Sequence, residues 1–518
     1  MRDWIYDIIP DSLNRFWRQN PALLYGLAFL LGTAIALYPG KWILIFPFLA
    51  LFFPLLLKRS WSHPLANRLL LGLLTVFLSF LYVQTTVTIP PKNEIGSGVF
   101  SISSIERSDN FYSSKWIYKG KIKQFIRESD NKIAAKNIPC IAIPPAKSIR
   151  PPADCNYHIK GTLKPSSSGG YNCYLTTKER WIPQPNTFSF AEYRFQAKKA
   201  LGNYITDQIP SKRCAMFLNG IATGEFSDKE MKYEFSRFGL QHIMAISGFH
   251  FAIVAGFFSL FLRQFMSRKR AAVSLIFILC SYFLFLGSSA SIMRAWLMIL
   301  VVVGGYLLER RGSALNSLGL AIAVVLFIDP LMIKHIGFQY SMMITASILL
   351  NFELFDLCIQ RFFPKRNLSE VIEMSLTDQH AYCLITFFRK ALALTLAVNI
   401  VAMPLSLYHF HKFPLMSLVY NWFFPFMVSI SIVLLIMGLL FSFIPLLAGI
   451  FHLVNDKFTN FMLNFAYNLP CSFDYYIRTH EISDNGIIVM LVALFFCSVV
   501  GREYLRFTRN QERDFAFI

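Results

Sequence analysis

Long apolar runs alternate with short polar segments along most of the chain. Many runs reach or approach the roughly 20 residues that an α-helix needs to cross a bilayer. The pattern therefore predicts a polytopic α-helical membrane protein with about 10–12 spans. The predicted spans cover residues 22–38, 42–57, 69–89, 241–262, 271–287, 292–308, 314–328, 338–353, 391–408, 416–441 and 486–500. A further run, residues 446–468, is ambiguous because Asn455, Asp456 and Lys457 interrupt it.

Lys and Arg residues are concentrated in alternate loops between these spans. Because short cytoplasmic loops carry the excess of positive charge, both termini are expected on the cytoplasmic side of the membrane. Residues 90–240 are then expected outside the cytoplasm. No cleavable signal peptide is expected, since a charged lead precedes the first apolar run and no small-residue cleavage site follows it. The basic residues that set this orientation are Arg2, Arg15, Arg18, Lys58, Arg59, Arg68, Arg263, Arg268, Lys269, Arg270, Arg310, Arg311, Arg361, Lys365, Arg366, Arg389, Lys390, Arg502, Arg506 and Arg509.

Residues 92–199 differ from the rest of the chain in being polar, basic and strand-like. They hold 18 Lys and Arg against 8 Asp and Glu, a net charge of +10 out of +20 for the whole chain. Turn-forming segments separate five predicted strands, which is typical of a small closed β-barrel of the OB type. The strands are predicted at residues 99–107, 114–128, 137–143, 157–164 and 171–182. An extracytoplasmic OB-like barrel is therefore predicted as an insertion between spans.

The predicted organisation has five parts. Residues 1–91 carry N-terminal spans, residues 92–189 the OB-like domain, and residues 190–240 amphipathic helices at the membrane surface. Residues 241–509 form the main transmembrane domain, and residues 510–518 a cytoplasmic tail.

The second predicted strand carries a candidate nucleic-acid surface. Side chains alternate between the two faces of a strand, so its odd positions share one face. Positive charge for phosphates and a flat ring for bases are what sequence-independent binding of single strands requires. The alternatives are an ordinary solvated strand face and contact with anionic lipid heads. The candidate DNA-binding residues are Lys115, Lys119, Lys121, Lys123, Phe125 and Arg127.

The nine cysteines show no CxxC motif and no metal-ligand spacing, so neither a metal nor another cofactor is predicted. Cys140, Cys155 and Cys173 fall in the segment expected outside the cytoplasm. An oxidising compartment would permit one disulfide among them, with the pairing undetermined.

Polar side chains stand within apolar sequence at residues 241–250. On a continuous helix His242, Ile246 and His250 would share one face, with Ser247 nearby. Three interpretations follow: histidines bonded to neighbouring helices, a polar lining of a translocation path, or a Ser247/His250 hydrolase. The last lacks a G-x-S-x-G elbow and an evident acid partner.

Further polar residues in or beside spans indicate a helix bundle with a wet interior. Each alone is more often a helix–helix hydrogen bond than part of a path. The candidate channel-lining residues are His242, Ser247, His250, Arg294, Gln339 and Asn399.

Several short sequence motifs, in the same order along the chain, resemble the signature of the ComEC competence family of inner-membrane DNA-uptake proteins. Gln241–His250 (QHIMAISGFH) resembles its H-L-L-A-I-S-G-L-H word, and Phe217–Gly224 its lead-in. Ser289–Ala295 resembles S-P-S-x-x-R-A, with Ala290 in place of proline. The remaining similar words are Arg310–Asn316, Asp329-Pro330, Gly337–Ser341, Met403–Phe410 and Leu418–Pro425.

The resemblance implies a channel, without enzymatic activity of its own, that carries single-stranded DNA across the cytoplasmic membrane during natural transformation. It implies that the OB-like domain meets DNA at the entrance. Implied partners are a periplasmic receptor of helix-hairpin-helix type, a cytoplasmic ATP-driven translocase or single-strand-binding proteins, and membrane lipids. Many members end in a metallo-β-lactamase-like domain with an H-x-H-x-D-H motif that this sequence lacks, so any strand degradation is expected from a separate nuclease. A transporter of another anionic polymer is the alternative from a different class.

Overall fold

The structure is a computed structural model in which most of the chain is described. It describes residues 15–38, 40–41, 44, 46–47, 63–90, 92–110, 113–145, 150–166, 172–177, 179–226, 228–246, 248–310, 312–468 and 475–515. The predicted span at 42–57 therefore lies almost wholly outside the described residues, as does Ser247.

Helices dominate the described chain, and a β-sheet is inserted after the second of them. The helices are α1 (Pro21–Leu37), α2 (His63–Thr86), α3 (Ala191–Gln208), α4 (Lys212–Thr223), α5 (Lys229–Arg237), α6 (Gln241–Met244), α7 (Gly248–Phe265), α8 (Arg268–Leu286), α9 (Ala290–Leu307), α10 (Ala314–Ile328), α11 (Ile336–Gln360), α12 (Leu368–Ile372), α13 (Leu376–Phe410), α14 (Met416–Leu440), α15 (Pro445–Tyr467) and α16 (Asp484–Phe515). A 3₁₀ helix (Pro330–Lys334) links α10 to α11.

Eight of the described helices are long and apolar enough to cross a membrane, and they define a multi-pass membrane protein. They are α2, α7, α8, α9, α11, α13, α14 and α16. Two further apolar helices, α1 and α10, are shorter than 18 residues. The eight long helices and the two short apolar ones together number ten, at the lower end of the 10–12 spans predicted from the sequence.

The two short helices pack directly against each other. A Cβ atom on Gly26 of α1 would lie 2.2 Å from the Gly319 carbonyl oxygen of α10, so only glycine fits at this crossing. At one end of the pair, Asn316 accepts a hydrogen bond from the Ala22 N–H at 3.0 Å. The crossing and this hydrogen bond therefore fix α1 and α10 against each other.

The run interrupted by Asn455 and Asp456 forms one helix, α15, whose polar residues are buried against neighbours. The Asn455 amide donates to the Ser431 carbonyl of α14 at 3.2 Å. The Asp456 carboxylate accepts from the Ser211 N–H at the start of α4 at 3.1 Å. These polar residues attach α15 to α14 and α4.

The inserted sheet has six strands. They are β1 (Glu94–Asn110), β2 (Ser113–Arg127), β3 (Ile133–Ile143), β4 (Tyr157–Lys164), β5 (Cys173–Thr176) and β6 (Ile182–Pro183). The fifth predicted strand, residues 171–182, is thus divided in two. Neighbouring strands pair in the order β1-β2-β3-β5-β4-β6, and β1 also pairs with β4. The pairings among β1 to β5 consequently form a closed cycle. A second sheet pairs β7 (Lys412–Pro414) with β8 (Tyr476–Arg478).

The predicted alternation of faces along β2 fails beyond Ile122. Val99 pairs with Gln124 while its neighbour Phe100 pairs with Ile122, which leaves Lys123 as the extra residue of a β-bulge. The bulge exchanges the faces of the residues that follow. Phe125 is therefore fully buried in the core of the sheet, and its predicted place on the outward basic face is wrong.

Two contacts fix the sheet to the helical bundle. The Arg194 guanidinium of α3 donates to the Leu284 carbonyl of α8 at 2.8 Å and to the Ser103 carbonyl of β1 at 2.7 Å. The Lys121 ammonium lies 2.9 Å from the Asp329 carboxylate at the end of α10. Because both contacts are at the C-terminal ends of α8 and α10, the basic turns that precede these helices lie at the opposite end of the bundle.

Candidate functional site

The helical structure is interrupted between α6 and α7, where the sequence predicts one continuous helix. Ala245 has extended backbone angles (φ −87°, ψ 124°), and α7 begins at Gly248. The predicted shared face of His242, Ile246 and His250 is therefore wrong. His242 is exposed, with Nδ1 3.2 Å from the Gly239 carbonyl oxygen, whereas His250 is buried on α7.

The start of α7 packs against a buried arginine of α9. A Cβ atom on Gly248 would stand 2.3 Å from Nη2 of Arg294, so the guanidinium occupies the space that any larger residue would need. Nη1 of Arg294 donates to the Ser341 carbonyl of α11 at 2.6 Å. Three segments distant in sequence thus meet at one point, which we call the Arg294 junction: Gly248, Arg294 and Ser341.

The Arg294 guanidinium keeps hydrogen-bonding capacity. Arg294 is 9% exposed, and its Nε donates no hydrogen bond to any residue that the structure describes. Among the described residues no Asp or Glu lies within ion-pair distance of it. A buried cation without a counter-charge is costly, and it is compensated when an anion approaches. The planar fork of donors matches the geometry of a phosphate group.

Gln339 lies on the same turn of α11 as Ser341 and joins a second polar group. Its amide nitrogen donates to the Ile333 carbonyl at 2.9 Å, and its Oε1 lies 2.9 Å from Nε2 of His409 on α13. The hydroxyl of the adjacent Tyr340 donates to Ser406 at 3.2 Å. The N-terminal part of α11 is therefore tied to the end of α13 beside the Arg294 junction.

The same end of α13 contacts a carboxylate that the sequence reasoning missed. The Tyr408 hydroxyl donates to Asp484 at the start of α16 at 2.7 Å, and Lys41 forms an ion pair with the same carboxylate. Asp484 stands just before an apolar run, which marks it as a polar residue at the end of a span. Its partners are more than 70 residues away, so no local pattern could have named them.

Asn399, the remaining candidate for the channel lining, lies elsewhere on α13. Its amide donates to the Thr395 carbonyl of its own helix at 2.8 Å. One turn nearby, the Ser347 hydroxyl donates to the Ala397 carbonyl and joins α11 to α13. Asn399 thus belongs to a buried helix–helix contact and does not bond to the Arg294 junction.

The basic residues of β2 fall into two groups. Lys119 pairs with Glu106, Lys121 with Asp329, and Arg127 with Glu94. Lys115 and Lys123 are exposed, and neither forms an ion pair with a described carboxylate. The structure therefore leaves two of the five predicted cations available to a polyanion.

No group of three or more His, Cys, Asp or Glu side chains that could hold a metal ion occurs within the described residues.

Comparison with known proteins covers the segments that build the Arg294 junction. Residues 222–503 match the family model described as Competence protein. The chain is 26% identical over 251 residues to ComE operon protein 3 of Bacillus subtilis (strain 168), an alignment that covers 48% of this chain and 29% of that protein. The chain thus aligns with less than a third of the relative's length. No solved structure matches it.

The family match extends over more than half of the chain and includes the Arg294 junction, Gln339, His409 and Asp484. With eight candidate spans, the chain is a multi-pass membrane protein that belongs to the ComEC family of competence proteins.

Proposed function

We propose that this protein forms the path by which one strand of DNA crosses the cytoplasmic membrane during natural transformation. The observation that carries the proposal is the Arg294 junction, where a buried guanidinium lacks a described counter-charge. DNA presents one phosphate per nucleotide, and each phosphate needs water or positive charge to pass through a bilayer. Arg294 supplies such a charge at the meeting point of three helices.

A single buried arginine suits passage better than a continuous row of cations would. Conduction requires binding that is favourable enough for a charge to enter and weak enough for it to leave. The neighbouring Gln339 and His409 are hydrogen-bonded to each other and offer polar contacts. Phosphates would therefore meet one strong site followed by weaker polar ones.

The proposed orientation puts the sheet outside the cytoplasm and both termini inside it. The basic first turn of α8, residues 268–270, is separated from the sheet contact at Leu284 by 14 to 16 residues of helix, a rise of about 21–24 Å. Arg310, which precedes α10, is similarly distant from Asp329. The positive-inside rule then favours the cytoplasm for the basic turns and the other side of the membrane for the sheet.

The sheet is proposed to be an OB-like barrel that meets the strand first. The closed cycle of pairings among β1 to β5 supports a barrel, and Lys115 and Lys123 supply exposed positive charge. We retain residues 92–189 as this domain, residues 190–240 as the connection, and residues 241–509 as the channel.

The chain is proposed to act as a conduit rather than as an enzyme. Capture of DNA outside the membrane, pulling inside it and any degradation of the second strand are assigned to partners: a helix-hairpin-helix receptor, an ATP-driven translocase or single-strand-binding proteins, and a separate nuclease.

DNA uptake in cells tests the proposal. Fluorescent, nuclease-protected DNA would be scored separately in the periplasm and cytoplasm of cells that carry the chain, lack it, or carry Arg294→Gln. Deletion should leave periplasmic DNA and abolish the cytoplasmic signal, and Arg294→Gln should do the same. Arg263→Gln, which removes an exposed charge at the end of α7, is the matched control and should transport normally. Normal cytoplasmic uptake in the deletion strain would refute a role in DNA translocation.

A further inference from the structure

Three aromatic side chains form an exposed cluster where the sheet leads into α3. Phe188, Phe190 and Tyr193 are 61%, 55% and 62% exposed. The Phe188 ring lies 4.8 Å from that of Phe190 and 5.9 Å from that of Tyr193, so the three rings form one patch. We call these three residues the aromatic patch. Large rings grouped on a surface mark an interaction site.

The position of the aromatic patch is fixed by its neighbours on both sides. The Ser189 hydroxyl donates to the Ile102 carbonyl of β1 at 2.9 Å. The Phe195 ring contacts Trp116 of β2 edge to face at 5.8 Å. Arg194, next to Tyr193, bonds to the Leu284 carbonyl in the last turn of α8. The patch therefore lies beside the end of a candidate membrane span.

The outer face of α8 identifies the surroundings of that end. Val273, Phe277 and Leu284 are 44%, 70% and 49% exposed and fall on one side of the helix. An exposed apolar stripe along a candidate span is the surface that such a helix presents to lipid chains. Because Arg194, next to Tyr193, bonds to the Leu284 carbonyl, the helix that carries Tyr193 is fixed at the end of this stripe.

We propose that Phe188, Phe190 and Tyr193 anchor the sheet to the bilayer at the boundary between lipid head groups and acyl chains. Tyr is enriched at this depth because its apolar ring and polar hydroxyl suit both layers, and Phe is common on the buried face of interfacial helices. Positive charge on the same helix favours phosphate head groups, and α3 supplies it with the exposed Lys199. The anchor would hold the sheet at a fixed height above the channel, whatever polymer that channel carries.

Photo-crosslinking of the full chain in proteoliposomes tests the anchor. The variants Phe190→p-benzoyl-phenylalanine and Tyr193→p-benzoyl-phenylalanine would be irradiated with and without single-stranded DNA. Lys132→p-benzoyl-phenylalanine is the control, because Lys132 is exposed in the charged turn between β2 and β3. We expect lipid adducts at positions 190 and 193 at least fivefold above those at 132. Lipid adducts no more abundant than at 132 would overturn the proposal, whether the probe instead captured DNA, a second copy of the chain or nothing. That outcome would leave the proposed DNA path standing, because DNA translocation is measured independently in cells.

Discussion

The Lys121 ammonium contacts the Asp329 carboxylate at 2.9 Å, which joins the middle of β2 to the end of α10. The Asp329 side chain is 1% exposed, and its other oxygen accepts from the Leu331 N–H at 3.1 Å. A lysine expected on a DNA-binding face is thus part of the joint between the sheet and the helical bundle. The sequence pattern could place Lys121 on a strand face, but it could not show what covers that face.

Replacing the carboxylate should weaken this joint. Asp329→Asn keeps an oxygen that can accept from Leu331 but leaves Lys121 without its counter-charge. We expect the free energy of unfolding to fall by about 1–3 kcal/mol, less than for a fully buried pair because Lys121 is partly exposed. Thermal unfolding in detergent measures the effect. Lys160→Gln, which breaks the more exposed pair with Glu128, should change the free energy of unfolding far less. Equal losses in the two variants would contradict a special role for Asp329.

Single-stranded DNA binding should depend on Lys115 and Lys123, the lysines of β2 that form no ion pair with a described carboxylate. In the full chain held in lipid nanodiscs, Lys115→Gln with Lys123→Gln should lower affinity at low salt. Each lysine that neutralises a phosphate adds about 0.7 to the slope of log affinity against log salt for single strands, so removing two should reduce the slope by about 1.4. Lys119→Gln with Lys160→Gln removes the same charge from residues already paired with Glu106 and Glu128. An unchanged slope in the first variant, or the same change in both, would assign DNA binding to another surface.

Two of the three cysteines in the sheet are brought face to face. Cys140 of β3 and Cys173 of β5 are directly paired residues on neighbouring parallel strands, and both are buried. We expect a disulfide between them in protein isolated from cells, with Cys155 left free. Mass spectrometry of unreduced peptides should find the link in wild type and in Cys155→Ser but not in Cys140→Ser. A link that includes Cys155 would contradict the observed register.

Burial also makes these thiols slow to react in the reduced protein. It raises the pKa of Cys173 to about 11 and that of Cys140 further still. Because only the thiolate is nucleophilic, alkylation of the folded reduced protein at pH 8 should be slow at both residues. Unfolding should make both react at the rate of ordinary cysteines, which provides the control.

Acid should loosen the start of α3. Burial alone would raise the pKa of Glu192, but hydrogen bonds from the Ala153 N–H, Arg150 and Gln196 outweigh it and hold the pKa below the ordinary 4.5. The stability contributed by this carboxylate is thus complete above pH 4.5 and is lost as the pH falls through its lower value in the folded state. The protection factors of α3 amides, which correct for the intrinsic pH dependence of exchange, should fall over that range in wild type. Glu192→Gln should show faster exchange at neutral pH and a weaker acid dependence; an identical pH profile would refute the assignment.

The sequence predicted those features that repeat along the chain. Long apolar runs located the spans, and turn-rich breaks bounded β4 at Tyr157–Lys164 as the structure has it. The prediction from sequence failed where a single residue interrupts the regular pattern of a strand or a helix. The extra residue Lys123 moved Phe125 into the core, and the extended Ala245 separated His242 from His250. Both errors arise because a single bulge or break reverses all the faces that follow it.

The candidate site could be predicted only in part, for a related reason. Arg294 and Gln339 stood out as polar residues in apolar sequence, but their partners are set by helix packing. Nothing near Arg294 in sequence indicates Gly248 or the Ser341 carbonyl. Asn399 carried the same signal as Arg294, yet it bonds within its own helix. A polar residue in a span thus indicates buried bonding without specifying which kind.

Gly248 gives the most direct test of the Arg294 junction. In Gly248→Ala the new methyl group would stand 2.3 Å from Nη2 of Arg294, and the guanidinium would have to move. Because Nη2 is the far end of a flexible side chain, this overpacking should cost about 1 kcal/mol, which would lower the population of the observed arrangement roughly fivefold. Cytoplasmic DNA uptake should fall by about that factor while periplasmic DNA accumulates normally. Gly256→Ala lies on the same helix with no atom within 4 Å of the added carbon, so it should insert and transport as wild type does. Since the two variants differ only in what the methyl group meets, equal uptake at equal membrane abundance would show that Arg294 need not occupy its observed place.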